Sequence, residues 1–255
     1  MRKRELEILY NKKRLSISEI GKILNIAPQT VFQRLRSLNI KTDPTSKKHY
    51  LNRRTDISIP LKMDSNVVEF LGIMLGDGNL THFQIKVTLG DKEGEYVQYV
   101  ANLIGKVFKT RAKISTRKTG YKDVYLGSTE ATRWLFGLGL VSNKTKYQVD
   151  VPPAIWEREA LIKYFIRGFF DTDGSIYSLK KGRQISLTNS SAPLLVSLRK
   201  MLFILGYNPS RISHGKIYLT RSEDVDRFFL DISPKNSKHI RRYKKLGSVG
   251  VRAVK

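Results

Sequence analysis

The chain has 255 residues, with 47 Lys and Arg against 22 Asp and Glu, a net charge of +25 at pH 7. That length holds one large core or two modest ones, an apolar fraction of 40% argues against disorder, and so large a positive charge persists chiefly where a polyanion is the partner. The lack of cysteine excludes a disulfide framework, zinc ribbons and thiol nucleophiles, and the four histidines (His49, His82, His214, His239) never stand at metal-ligand spacing.

Met1-Arg2-Lys3-Arg4-Glu5-Leu6-Glu7 turns acidic where a signal peptide would be apolar, and Arg167, Arg199 and Lys200 interrupt the most apolar segments. The expectation is a soluble intracellular protein that binds nucleic acid and crosses no membrane. Residues 1–63 carry 15 Lys and Arg against 5 Asp and Glu, the densest positive excess in the chain. An opening helix is expected from Arg2 to Asn11. From Ser16, apolar residues Ile20, Ile23 and Leu24, then Val31, Leu35 and Leu38, recur at helical spacing. Ser18 is placed to cap the first of these helices and Pro28 suits the first turn of the second.

Two short helices across a tight turn resemble the helix-turn-helix units of bacterial and archaeal regulators, over residues 1–45. In that geometry Gln29, Thr30, Gln33 and Arg34 on the second helix reach base edges or phosphates. The alternative is a small bundle with a solvated face. Residues 46–63, with Lys47, Lys48, Arg53 and Arg54, read as a basic linker that either follows phosphates or is merely solvated.

The rest of the chain repeats itself. Phe70-Leu71-Gly72-Ile73-Met74-Leu75-Gly76-Asp77-Gly78 recurs as Ile166-Arg167-Gly168-Phe169-Phe170-Asp171-Thr172-Asp173-Gly174, and Lys113-Ile114-Ser115 and Val124-Tyr125-Leu126 recur as Arg211-Ile212-Ser213 and Ile217-Tyr218-Leu219. Each copy reads as helix, two strands, helix, hairpin, helix, so the fold class is α+β: tandem αββαββα repeats with pseudo-twofold symmetry over 64–148 and 149–250, preceded by the small all-α domain. Strand alternation turns Ile85, Val87, Val124, Leu126, Ile185, Leu187, Ile217 and Leu219 towards the helices. The other face carries Gln84, Lys86, Thr88, Lys113, Ser115, Arg117, Gln184, Ser186, Thr188, Arg211, Ser213, Lys216 and Tyr218, a basic, hydrogen-bonding surface suited to DNA.

Gly72 and Gly76, like Gly168 and Thr172, stand four apart on one helical face, a spacing that lets two helix backbones meet. Asp77 and Asp173 then end the two helices side by side, with Gly78 and Gly174 available for a left-handed terminal residue. Two carboxylates at the negative ends of helix dipoles need a cation, and hard oxygen donors suit Mg²⁺.

These motifs resemble those of single-chain LAGLIDADG homing endonucleases, over residues 64 to about 245. The second copy fits the family pattern closely; the first departs from it with Leu75 and Gly76 before Asp77. The resemblance implies a monomeric, Mg²⁺-dependent endonuclease of intron homing, which cuts double-stranded DNA across the minor groove and leaves short 3′ overhangs. It implies Asp77 and Asp173 as catalytic metal ligands, assisted by the backbone carbonyls of Gly76 and Thr172, with Asp171 outside the site. It also implies a basic residue after each repeat's last helix: Lys146, with Lys144 as rival, and Lys238, with Lys235 as rival.

The first copy has eleven residues from Asn79 to Leu89 where the second has fifteen from Ser175 to Asn189, which points to fewer base contacts in that half. A chain that begins Met1-Arg2 and ends Ala253-Val254-Lys255 lacks the terminal groups of self-splicing. The rivals to the nuclease are a non-cleaving DNA-binding transcription regulator on the same scaffold and an RNA intron maturase. If the sheets and linker neutralise about eight phosphates, affinity should fall with salt at a log-log slope of about −7. A binding titration with a slope near zero would remove nucleic acid as the partner.

Overall fold

The computed structural model describes residues 3–13, 15–40, 56–180 and 182–250, in two units, Met1–Arg54 and Thr55–Lys255. In the first unit, helix α1 (Lys3–Glu7) widens into a π-turn over Ile8–Lys12 and is followed by α2 (Ile17–Leu24) and α3 (Pro28–Ser37). Leu6, Tyr10, Ile20, Val31, Leu35 and Ile40 form its core. The cap of α2 is Ser16 rather than Ser18. Ser16 is extended, its hydroxyl accepts from the Glu19 N–H at 3.1 Å, and the Glu19 carboxylate accepts from the Ser16 N–H at 2.7 Å, a reciprocal box that leaves Ser18 inside the first turn. Ile23, expected in the apolar stripe, is 59% exposed, because the buried side of so small a unit is only as wide as Ile20 and Gly21.

The expected linker residues Lys47, Lys48, Arg53 and Arg54 lie outside the described residues. Its last part is not a linker: Ile57, Ile59 and Met63 pack on the larger core, and the Ser58 N–H donates to the Phe108 carbonyl at 2.9 Å. Apolar residues at alternate positions anchor this segment as an extended strap.

The second unit runs α4 (Ser65–Leu75), β1 (Gly78–Leu80), β2 (Gln84–Leu89), α5 (Gly94–Phe108), β3 (Lys113–Thr116), β4 (Lys122–Gly127), α6 (Thr129–Gly137) and α7 (Lys144–Tyr147). It continues as α8 (Ile162–Asp173), β5 (Gly174–Ser178), β6 (Arg183–Thr188), α9 (Ala192–Ile204), β7 (Lys216–Leu219), α10 (Ser222–Asp231) and α11 (Ser237–Gly250). Asp64 caps α4 by accepting from the Val67 N–H at 2.9 Å. The strands form two antiparallel sheets, ordered β1-β2-β4-β3 and β5-β6-β7. All eight strand residues expected inside are buried against the helices.

The expected strand over Arg211-Ile212-Ser213 does not form. His214 and Gly215 take positive φ in a two-residue turn that pairs Ser213 with Lys216, but the Ser210 N–H then bonds the Tyr218 carbonyl at 2.9 Å. The Ser210 hydroxyl also takes the Tyr218 N–H, so one extra residue bulges out and the ladder stops. The shorter first copy therefore carries the larger sheet, four strands against three.

Between the repeats, α4 packs on α8 along most of its length. A Cβ on Gly72 would lie 2.3 Å from the Phe165 carbonyl oxygen, and one on Gly168 would lie 2.1 Å from that of Glu69. The helix backbones touch where no side chain fits between them. Gly78 and Gly174 do not adopt the expected left-handed conformation: Gly174 is extended and neither has positive φ. Their glycine is required for a different reason, since a Cβ on Gly78 would meet Met74 at 2.5 Å and one on Gly174 would meet the Phe170 ring at 2.2 Å.

Gly168→Ala should thus cost about 3 kcal/mol, because backbone must move to admit the methyl. Urea unfolding checks this, and a loss below about 0.5 kcal/mol, the range of an indifferent surface change, would mean that the helices are free to part.

Candidate active site and nucleic-acid face

Asp173 is the last residue of α8 and Asp77 follows the end of α4. The helix contact brings these ends together: a Cβ on Gly76 would meet the Thr172 hydroxyl at 1.9 Å and the Asp173 carboxyl carbon at 3.6 Å. Burial pushes Asp173 up to about 6, and repulsion from Asp77 adds to the rise, while Lys144 and a 3.0 Å hydrogen bond from the Asn189 amide oppose it. The Asp77 residue is open to solvent, yet its carboxyl is set low among protein atoms, and this partial desolvation raises its pKa against the pull of Lys144.

Between the two acids stands Lys144. Its ammonium donates to the Met74 and Leu75 carbonyls at 3.2 Å each and to the Gly76 carbonyl, groups that a helix end leaves without intrahelical partners. Burial lowers its pKa, and attraction to Asp173 and Asp77 opposes the fall. Of the expected pair of lysines in this repeat, Lys144 and not Lys146 lies beside the two acids. Lys146 is exposed, with its ammonium 5.3 Å from the Tyr147 ring centre. The cause is local: Asn143 caps α7, and two residues further round so short a helix a side chain leaves on a different side.

In the second repeat Lys238 bonds the Glu93 carboxylate of the first at 2.8 Å, and its charge acts on Asp77. Burial alone would raise Glu93, but hydrogen bonds from the Asn236 amide, Lys238 and the Gly90 N–H hold it below the usual carboxylate range. The rival Lys235 contributes its backbone N–H, at 2.8 Å, to Asp171. Asp171 is buried on the other side of α8, where it also accepts from the Asn236 N–H, and burial pushes it up to about 7. The Thr172 hydroxyl bonds the Gly168 and Phe169 carbonyls of its own helix, which leaves its carbonyl as the group that could face the site.

On the outer sheet faces, Lys113, Ser115, Arg117, Arg211 and Ser213 are exposed, and Gln84, Lys86, Thr88, Gln184, Thr188, Lys216 and Tyr218 partly so. Ser186 is the exception at 4% exposure: it sits on the central strand β6 with Tyr218 beside it in register and Tyr177 on the next strand, larger groups that stand over it. In the first unit Gln29, Gln33 and Arg34 are exposed and Thr30 half-buried. Glu93, Asn189 and Asp123 were missed as contributors. Of these only Asp123 had a signal, since it alternates with Val124 onto the outer face.

Residues 160–233 match the family model described as a LAGLIDADG-like domain. Among curated relatives, the chain is 34% identical over 115 residues to the replication factor C small subunit of Methanocaldococcus jannaschii and 28% identical over 208 residues to the replicative DNA helicase DnaB of a Nostoc species. These alignments take in 44% and 72% of this chain but only 6% and 22% of those proteins.

Similar solved structures include the N-terminal LAGLIDADG domain of WhiA, at 18% identity and TM-score 0.48 over 71% of this chain and 89% of that one. They also include an I-DmoI variant with its target DNA and magnesium, at 16% identity and TM-score 0.48 over 67% of this chain and 97% of that one. No helix among the described residues is long and apolar enough to cross a membrane.

Lys144→Met should destabilise the chain in a pH-dependent way. Without the ammonium, both carboxyls rise further above their ordinary value near 3.8, and a raised carboxyl costs stability as pH climbs from its unfolded value through its folded one. The deficit against wild type should open between about pH 4 and pH 7, the side on which Asp173 ionises, and close on acidification. Urea midpoints of both proteins at the two ends of this range measure it; an equal deficit at both would mean that Lys144 acts by packing alone.

Proposed function

We propose that the larger unit is a site-specific double-stranded DNA endonuclease of the homing type, hydrolysing phosphodiester bonds with Mg²⁺. The observation that carries this reading is the meeting of one carboxylate from each repeat at a single cationic point, beneath two sheets whose outer faces are basic and polar. Among the described residues no group of three or more His, Cys, Asp or Glu could cage a metal. Mg²⁺ needs no such cage, because it takes one or two carboxylates and fills the remaining positions with water and substrate phosphate. Asp77 and Asp173 would hold it, with the carbonyls of Gly76 and Thr172 as further oxygen donors. Such an ion would supply activation of water and stabilisation of the leaving 3′ oxygen.

The chain's own groups do the rest. Lys144 would set a positive charge beside the scissile phosphate, and Lys238, steadied by Glu93, would do so from the other repeat. Lys86, Lys113, Arg117, Arg211 and Lys216 would neutralise backbone phosphates or read bases, with Gln84, Thr88, Ser115, Gln184, Thr188, Ser213 and Tyr218 as hydrogen-bonding partners. The first unit would add contacts in a flank through Gln29, Thr30, Gln33 and Arg34 of a helix-turn-helix. The protein would work as a monomer inside the cell.

One observation favours a second reading, a non-cleaving transcription regulator: Lys144 already offsets both acids, so the acid pair can persist without an ion. The two readings part on substitution. Asp77→Asn or Asp173→Asn should abolish Mg²⁺-dependent cleavage of both strands and leave binding intact or tighter, since a carboxylate facing phosphate repels it. If either variant cuts a selected duplex at the wild-type rate, that residue holds no ion; if wild type binds such a duplex and never nicks it in Mg²⁺, the regulator stands.

A further inference from the structure

The outer face of the four-stranded sheet carries one acid in the middle of its basic groups. Asp123 on β4 pairs in register with Thr88 on β2 and Ser115 on β3. An unpartnered carboxylate there would repel a polyanion, but this one is fully engaged. Arg117, just beyond β3, returns over it through a tight turn in which the Arg117 N–H donates to the Tyr121 carbonyl at 2.8 Å. Its Nε and Nη2 then donate to the two Asp123 oxygens at 2.8 Å each, a parallel fork. Thr88 completes the set: its hydroxyl donates to Asp123 at 2.7 Å and receives Arg117 Nη2 at 3.1 Å.

Two features show that this is more than a surface ion pair. An exposed pair contributes little to stability, and the Arg117 side chain is 44% exposed. Asp123 grips the Nε edge of the guanidinium, and Nη1, at its free end, has no partner among the described residues. A phosphate contact needs only a nearby charge, and a freely rotating lysine provides that. A base edge needs a guanidinium of fixed plane, and guanine offers strong acceptors, O6 and N7, to an N–H at its free end.

We propose that Asp123 is a positioning residue for sequence recognition, holding Arg117 so that the free end of its guanidinium reads a guanine on the half of the target bound by the first repeat. The inference rests on the reading of the chain as a site-specific DNA-binding protein. Asp123 itself accepts no base; its charge is spent on Arg117 and Thr88, and Thr88 fixes the carboxylate rather than the DNA.

The test is selection from a randomised duplex library with the full chain, wild type against Arg117→Lys and Asp123→Asn, with thermal melting of each in parallel. Wild type should enrich a site with one guanine in the flank on that side. Both variants should lose that preference at the same position, by about tenfold, and keep the preferences at the others. Arg117→Lys retains the charge of an exposed residue, so it reports on the fork even if Asp123→Asn melts early.

Retention of the guanine by Arg117→Lys, or an even gain in affinity for all sequences with Asp123→Asn, would overturn the inference and leave the DNA reading standing. A wild-type chain that enriches no sequence would overturn both.

Discussion

Everything in the larger unit follows from the place where α4 and α8 touch at Gly72 and Gly168. Two helix backbones reach contact distance only if the residues between them have no side chains, and that contact fixes where both helices end. It therefore brings Asp77 and Asp173 into one place and sets each helix's strands out to its own side. The same closeness creates the electrostatic problem of the site. Two carboxyls near helix C-termini gain nothing from the dipoles; burial raises the pKa of both, and repulsion from Asp77 adds to the rise of Asp173.

The contact also strands polar groups that would be liabilities elsewhere. Glu69, 3% exposed, faces Arg167 across the helix pair at 3.2 Å and accepts from the Tyr99 hydroxyl, while Arg167 reaches the Ile232 carbonyl at 2.7 Å. A second set of bonds runs from Asp171 through Asn236 to Glu93 and Lys238. Removing any one partner leaves a buried group unsatisfied, which costs more than the pair itself contributes. The network thereby specifies one way of docking the repeats, linking α4 and α5 of the first to α8 and the approach to α11 of the second.

Much of this was legible in the chain. The repeated glycines announced the helix contact and the two aspartates that it brings together, and the alternating apolar residues gave the inner faces of both sheets. What escaped was set by single atoms rather than periods. Ser16 and Ser18 are equally good caps by type, and only Glu19 at the third position after Ser16 distinguishes them. Lys144 and Lys146 share a helix too short to have a face, so which of them enters the site depends on the turn that precedes it. The missing strand at Arg211 hangs on one serine hydroxyl that takes the place of a backbone acceptor. The two glycines after the aspartates were recognised for a turn, but they serve close packing against Met74 and Phe170.

The position of Lys144 gives the site a property that two carboxylates alone would lack. Its ammonium occupies the carbonyls at the end of α4, including that of Gly76, the oxygen proposed above as a further donor to a divalent ion. If Asp77 and Asp173 hold an ion as proposed, ammonium and ion would compete for that oxygen, and the lysine would have to move aside along its flexible stem. A stem of four methylenes would let it do so without disturbing α7, and once displaced it would stand next to the oxygens it had left, where a phosphate would arrive. In this arrangement the charge that offsets the two acids is the same charge that would receive a phosphate.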